Sequence, residues 1–208
     1  MKNIIALLFI YPLSLLSLLG AAHESFESST EGWASTTPAS SLITTVEDGA
    51  PAAAITDGKS CLKLISDTGG KWCQLAVNQD LLSSIKGSDA LSFDLHVPAG
   101  VLPTNGWAKL QVRLFGGQDD IVAFDMTHNV ELALNEAEGK TYHIEWQYVA
   151  DEKFDTNCNW AQIGIVKIAS GGTMSPLYID NVEFKQSETE LTMNSTDDFL
   201  LGDEWELL

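Results

Sequence analysis

Apolar and polar residues alternate along much of this chain. Leu91-Ser92-Phe93-Asp94-Leu95-His96-Val97 puts an apolar residue at every second position, and Trp107-Ala108-Lys109-Leu110-Gln111-Val112-Arg113-Leu114 repeats the period. That is the signature of a strand with one face against a core. Further strands fit residues 60–66, 71–77, 121–126, 141–149, 161–169 and 177–184, with glycine-rich breakers at Thr68-Gly69-Gly70, Pro98-Ala99-Gly100, Gly116-Gly117 and Ser170-Gly171-Gly172 between them. Asn129 to Glu138 fits a short helical turn. Many short strands without βαβ alternation predict an all-β, single-domain antiparallel β-sandwich or jelly roll. Phe26–Trp33 and Tyr178–Phe184 bracket it as the expected first and last strands.

The ends read differently. Met1-Lys2-Asn3 is followed by an apolar run, Ile4 to Leu19, and by Gly20-Ala21-Ala22. This predicts a signal peptide over residues 1–22, cut after Ala22, and hence a secreted protein, extracellular or periplasmic. No later segment is long and apolar enough to insert in a membrane. The sandwich is expected to fill 23–186. Residues 187–208 form an acidic, partly apolar tail, either a linker end or a docking segment for a protein partner.

Charge narrows the partners. Eleven Lys and Arg against 29 Asp and Glu give a net charge of −18, which becomes −19 once Lys2 leaves with the leader. Nucleic acid and anionic membranes are excluded, and a neutral ligand is favoured. Arg113 is the sole arginine. Of the three cysteines, Cys61 and Cys73 fall on neighbouring predicted strands but alternate onto different faces; a bridge between them and free thiols both stay open.

Alternation also assigns faces. The core takes Leu91, Phe93, Leu95, Val97, Leu110, Val112 and Leu114. One non-core face is then expected to display Trp72, Asp94, His96, Trp107, Gln111 and Arg113. Those residue types suit sugar recognition: an indole stacks on the C–H face of a pyranose, and planar polar groups pair with ring hydroxyls. Trp33 fits either cleft or core, Trp146 shares a face with core residues, and Trp160 fits core or rim.

Several of these stretches together resemble a known group. The Phe26-Glu27…Gly32-Trp33 opening, Cys61-Leu62-Lys63-Leu64, Trp72, Leu91-Ser92-Phe93-Asp94, Trp160-Ala161-Gln162-Ile163-Gly164-Ile165 and the closing Tyr178-Ile179-Asp180-Asn181-Val182 resemble carbohydrate-binding modules of the galactose-binding-like β-sandwich type. The likeness is greatest to modules that accompany mannan- and β-glucan-degrading enzymes. It implies a non-catalytic role, a polysaccharide ligand such as a mannan or β-glucan bound across the concave sheet, and a structural Ca²⁺ with Glu27 and Asp180 among its ligands. Without a metal, Asp180 would cap a bulge through backbone bonds.

Two other classes remain to be weighed. A jelly-roll glycosidase or polysaccharide lyase needs only two groups facing one cleft, and Asp94 with Glu145, near His96 or His143, supplies a candidate pair. A structural or adhesive module would use the tail and no sugar site. No nucleophile elbow, zinc-ligand spacing, phosphate loop or dinucleotide fingerprint occurs. Asp155-Thr156-Asn157-Cys158-Asn159 begins like a calcium loop, but Trp160 stands where that loop needs glycine and Val166 where it needs glutamate.

Overall fold

The computed structural model describes residues 23–34, 41–65, 72–79, 81–102, 107–119, 121–132, 139–148, 158–169 and 174–186; the side chains at 41–42, 72–77 and 123 are not among those described. The leader, the 187–208 tail and Asp155 to Asn157 lie outside the described residues. Two antiparallel sheets face each other across one apolar core, the β-sandwich that alternation predicts. The six-stranded sheet runs β3 (Ser41–Thr45), β4 (Ser60–Leu64), β11 (Leu177–Lys185), β6 (Ala90–Val97) and β9 (Lys140–Gln147), with β1 (His23–Glu24) also paired to β11. The five-stranded sheet runs β2 (Trp33–Ala34), β5 (Trp72–Asn78), β10 (Trp160–Ala169), β7 (Ala108–Gln118) and β8 (Ile121–Leu132).

The core follows the period of two. Leu91, Phe93, Leu95 and Val97 of β6 meet Leu110, Val112 and Leu114 of β7 and Ile163 and Ile165 of β10. Where β8 and β9 leave the sandwich open at one side, His128 stacks on Trp146 (5.6 Å between ring centroids), and Trp146 packs on Tyr148. Trp146 is thus half-buried and packs against the core on the face expected for it.

Three expectations are corrected. The Phe26–Trp33 opening is not a strand: positive φ angles at Phe26, Glu31 and Gly32 turn the chain from β1 in one sheet to β2 in the other. Gly32 is required there, because a Cβ would come within 2.9 Å of Asn78 Oδ1. Residues 129–132 continue β8 instead of starting a helical turn; 133–138 lie outside the described residues. The described helix is α1, Leu82–Lys86, which alternation does not reveal. Cys61 and Cys73 stand on strands of opposite sheets, β4 and β5, and Cys61 is a buried free thiol beside Tyr178 and Ala54. Burial, with the Asp180 carboxylate behind it, pushes the Cys61 thiol up to about 12.

Carboxylates hold the loops to this frame. Asp180 is wholly buried on β11, beside a bulge where Asn181 takes φ +52°. Its Oδ2 accepts the N–H groups of Thr56 (2.7 Å) and Asp57 (2.9 Å), and its Oδ1 that of Asn181 (2.9 Å). Glu27 Oε1 accepts the N–H groups of Lys59 (2.6 Å) and Ser60 (2.9 Å). Gly58 lies between, and a Cβ on it would collide with the Glu27 carboxylate. The pair expected to bind calcium pins the 56–60 loop through backbone N–H bonds, and among the described residues no third acidic side chain is grouped with it.

Glu24 joins the sheets. From β1 its carboxylate accepts the Trp33 indole N–H at 2.6 Å and the Asn78 amide at 3.3 Å, both on the five-stranded sheet. Trp33 is accordingly core. Burial pushes the Glu24 carboxyl up to about 7; the Trp33 bond opposes this and the Glu31 charge adds to it.

Two outcomes are expected. A chelator should leave the melting temperature unchanged, whereas Asp180→Ala should cost about 2 kcal/mol by stranding three partly buried N–H groups; a fall in melting temperature on chelation would mean that a cation displaces those contacts. For Glu24, the folded form keeps a proton that the unfolded chain releases near 4.5. Its stabilising contribution is complete below that pH and lost as pH rises through about 7. Urea titrations should show wild type losing about 3 kcal/mol relative to Glu24→Gln between pH 4.5 and about pH 8. Parallel pH curves for the two proteins would clear Glu24 of this role.

Candidate functional site

The outer face of the five-stranded sheet carries most of the residues that alternation singles out. Along β7 the buried residues Ala108, Leu110, Val112 and Leu114 alternate with half-buried Lys109, Gln111, Arg113 and Phe115, which turn outward. Register extends each into a row across the sheet: Glu131, Lys109 and Ile168; Asn129, Gln111 and Val166; Thr127, Arg113 and Gly164; Asp125, Phe115 and Gln162. Gly164 has no side chain, so nothing projects from β10 beside the guanidinium. Trp107, 39% exposed, stands just before β7 at the Lys109 end. The β5 register sets Trp72 opposite Ile168, in that same end row. A bulge in β5 absorbs Leu75, so Val77 pairs with Gly164 and Gln74 with Val166, a shift that strict alternation misses.

Polar groups in the middle rows hold one another. Arg113 Nη2 donates to Asp125 Oδ2 at 2.8 Å, and Gln111 Nε2 donates to Asn129 Oδ1 at 3.1 Å. Positive Lys109 and Arg113 balance negative Asp125 and Glu131 on this face, against the strong negative charge of the whole chain. Such cross-strand pairs are preorganised, and both partners keep donors or acceptors for a ligand.

The far end is aromatic. Trp160 packs edge-on against Phe115 (centroids 6.1 Å, interplanar angle 87°) and donates its indole N–H to the Asp119 carbonyl at 2.8 Å. The ring lies over Gly117, where a Cβ would come within 3.0 Å of Cζ2. The Arg113 guanidinium sits 5.4 Å from the Phe115 centroid. Alternation leaves Phe115 opposite the core residues of 107–115, as found, whereas Trp160 fits core or rim in the sequence; the signal that bears on it is Gly117, where a side chain would meet both the Ile121 backbone and the Trp160 ring.

Asp94 and His96 do not join this face. They leave the core as alternation demands, but β6 belongs to the six-stranded sheet, and its outer face is on the opposite side of the molecule. His96 is buried there beneath the 3₁₀ turn Ala52–Ala54: its Nδ1 meets Thr141 Oγ1 at 2.9 Å, and Thr141 donates to the Ala53 carbonyl. Burial holds the imidazole below its usual pKa. Asp94 meets His143 Nδ1 at 2.7 Å and accepts from Asn181 at 3.3 Å. Burial pushes its carboxyl up, but bonds from Thr56, His143 and Asn181 outweigh that and leave it below the ordinary value. A carboxyl so held is a poor proton donor. Glu145 faces the same side one row away, exposed, opposite Ser92. Among the described residues no group of three or more His, Cys, Asp or Glu is placed to hold a metal.

No family model matches the chain, and no curated protein sequence does. Solved structures do. The C-terminal family 22 carbohydrate-binding module of Clostridium thermocellum Xyn10B aligns over 81% of this chain and 94% of its own at 13% identity, with a TM-score of 0.50. The Caldicellulosiruptor saccharolyticus module CBM27-1, in complex with mannohexaose, aligns over 80% and 97% at 12% identity (TM-score 0.51). CBM28, a module specific for non-crystalline cellulose, aligns over 78% and 93% at 14% identity (TM-score 0.52). At such identities the shared property is the fold: this chain has the β-sandwich architecture of carbohydrate-binding modules.

Proposed function

We propose that this chain is a secreted, non-catalytic module that binds a neutral polysaccharide across the outer face of its five-stranded sheet. The observation that carries the reading is the outward row from Trp107 through Lys109, Gln111 and Arg113 to Phe115, flanked by amide and carboxylate partners and charge-balanced. It spans about 27 Å at roughly 3.4 Å per residue, long enough for several sugar rings in line. Trp107 stacks on a pyranose, with Trp72 in the adjoining end row. Gln111 and Arg113 read hydroxyls, and Gln162 and Asn129 line the same rows. The alignments with modules whose structures hold mannohexaose or are specific for cellulose support this class of ligand. The leader-like residues 1–22 support export. A glycosidase or lyase built on Asp94 and Glu145 has no such support, since both lie on the opposite sheet and Asp94 is committed to its neighbours.

Native affinity gels containing mannan, β-glucan, xylan or an anionic polysaccharide, each also assayed for new reducing ends, would test the reading. Retardation in a neutral polymer without product is expected. Trp107→Ala should weaken it by about 1–3 kcal/mol, the usual cost of losing a desolvated aromatic anchor. Arg113→Lys, which keeps the charge and loses the planar fork, should weaken it less. Unaltered retardation of folded Trp107→Ala would discard this face as the site.

A further inference from the structure

The outer face of the five-stranded sheet changes chemistry along its length. In the rows of Gln111 and Arg113 every residue from β7 has a polar partner on β8. Beyond Phe115 the supply ends: Gly117 is flanked by Val122 on β8 and Trp160 on β10. Val122 is 56% exposed, and Ile121 next to it, at the hairpin tip, is 72% exposed. The one hydrogen-bonding group of the Trp160 side chain is already given to Asp119. This corner can therefore offer a ligand an aromatic wall and an aliphatic rim, with its donors among the described residues at the inner edge, where the Arg113 guanidinium lies beside Phe115 and Gln162 stands opposite it in the row.

A bare sugar ring is poorly matched to such a place, because hydroxyls lying past that edge, against Trp160 and Val122, would exchange water for apolar contacts. An anionic substituent is disfavoured by the strong negative charge of the chain. We propose that Phe115, Trp160 and Val122 form a subsite for a neutral acyl group, an O-acetyl ester carried by the polysaccharide. The inference rests on the polysaccharide-binding reading above and names a feature of its ligand. The acyl methyl packs against Phe115 and the Trp160 ring with Val122 at the rim, and the ester carbonyl accepts from an Arg113 N–H not used by Asp125. Trp160 is held on three sides, by Gly117, Phe115 and Asp119, so little order is lost on binding.

The test compares two forms of the same polymers. An acetylated glucomannan and an acetylated xylan, each with its alkali-deacetylated counterpart, would be titrated against wild type, Val122→Ser, Trp160→Ala and Trp107→Ala, with folding checked by circular dichroism. Val122 is exposed enough for serine to be tolerated. Wild type should bind one acetylated polymer at least about fourfold more tightly than its deacetylated form, the worth of burying a methyl. Val122→Ser and Trp160→Ala should each bring the two forms within about twofold, while Trp107→Ala weakens both forms together. Binding to a deacetylated polymer that depends on Trp107 but shows no acetyl preference would overturn the acyl subsite and leave the polysaccharide reading standing. A preference that survives both corner variants would also overturn it. Wild type binding none of the polymers would end both.

Discussion

A carboxylate buried in the middle of a sheet must find donors, and Asp180 finds them in the loop that approaches β11 from outside. Much of the molecule's asymmetry follows. Because Thr56 and Asp57 are drawn onto that carboxylate, the segment before them lies across the outer face of the six-stranded sheet, where Ala50, Ala54 and Ile55 pack on Cys61 and Tyr178. His96 is roofed over as a result. One of the two outer faces is thereby partly covered, and the five-stranded face carries the open row of aromatic and polar side chains.

The same economy recurs in a chain with 29 acidic residues. Glu27 secures the next residues of the loop, Asp94 gathers Asn181 and His143, and Glu24 crosses between sheets to Trp33 and Asn78. Carboxylates here act as acceptors for N–H groups that turns and bulges leave unpaired. The cost is desolvation, visible in the raised carboxyls of Glu24 and Asp180, and each clamp fixes a piece of irregular chain in return. The surface that meets ligand is by contrast charge-balanced.

Alternation in 91–97 and 107–115 was enough to separate the core-facing side chains from the outward ones, because in both strands the apolar residues keep to one face. It could not say which sheet a strand joins. Asp94 and Gln111 satisfy the same rule from opposite sides of the molecule, so a face assembled by alternation alone merges two surfaces. Bulges defeat the rule locally, as at Leu75, where one extra residue reverses the parity of everything beyond it. Trp160 was obscured for another reason: it opens a run, Ala161 to Ile168, that is mostly apolar on both faces, so its own outward placement leaves no periodic trace. The carboxylate clamps were the least legible feature, since an Asp or Glu that accepts backbone N–H bonds across the fold looks in sequence like any solvated charge.

The last described strand, β11, occupies an inner position of the six-stranded sheet, hydrogen-bonded to β1, β4 and β6. Every strand of the five-stranded sheet precedes it in the chain. During synthesis the sheet that displays the candidate site can therefore pair completely while its partner still lacks a middle strand, and its inner apolar face has no finished surface to close against. Assembly then hinges on the arrival of Leu177–Lys185, which supplies Leu177, Ile179, Val182 and Phe184 to the core. Long-range closure of this kind is slow and all-or-none, so a chain cut short before β11 would expose a paired but uncovered sheet, the kind of surface that aggregates.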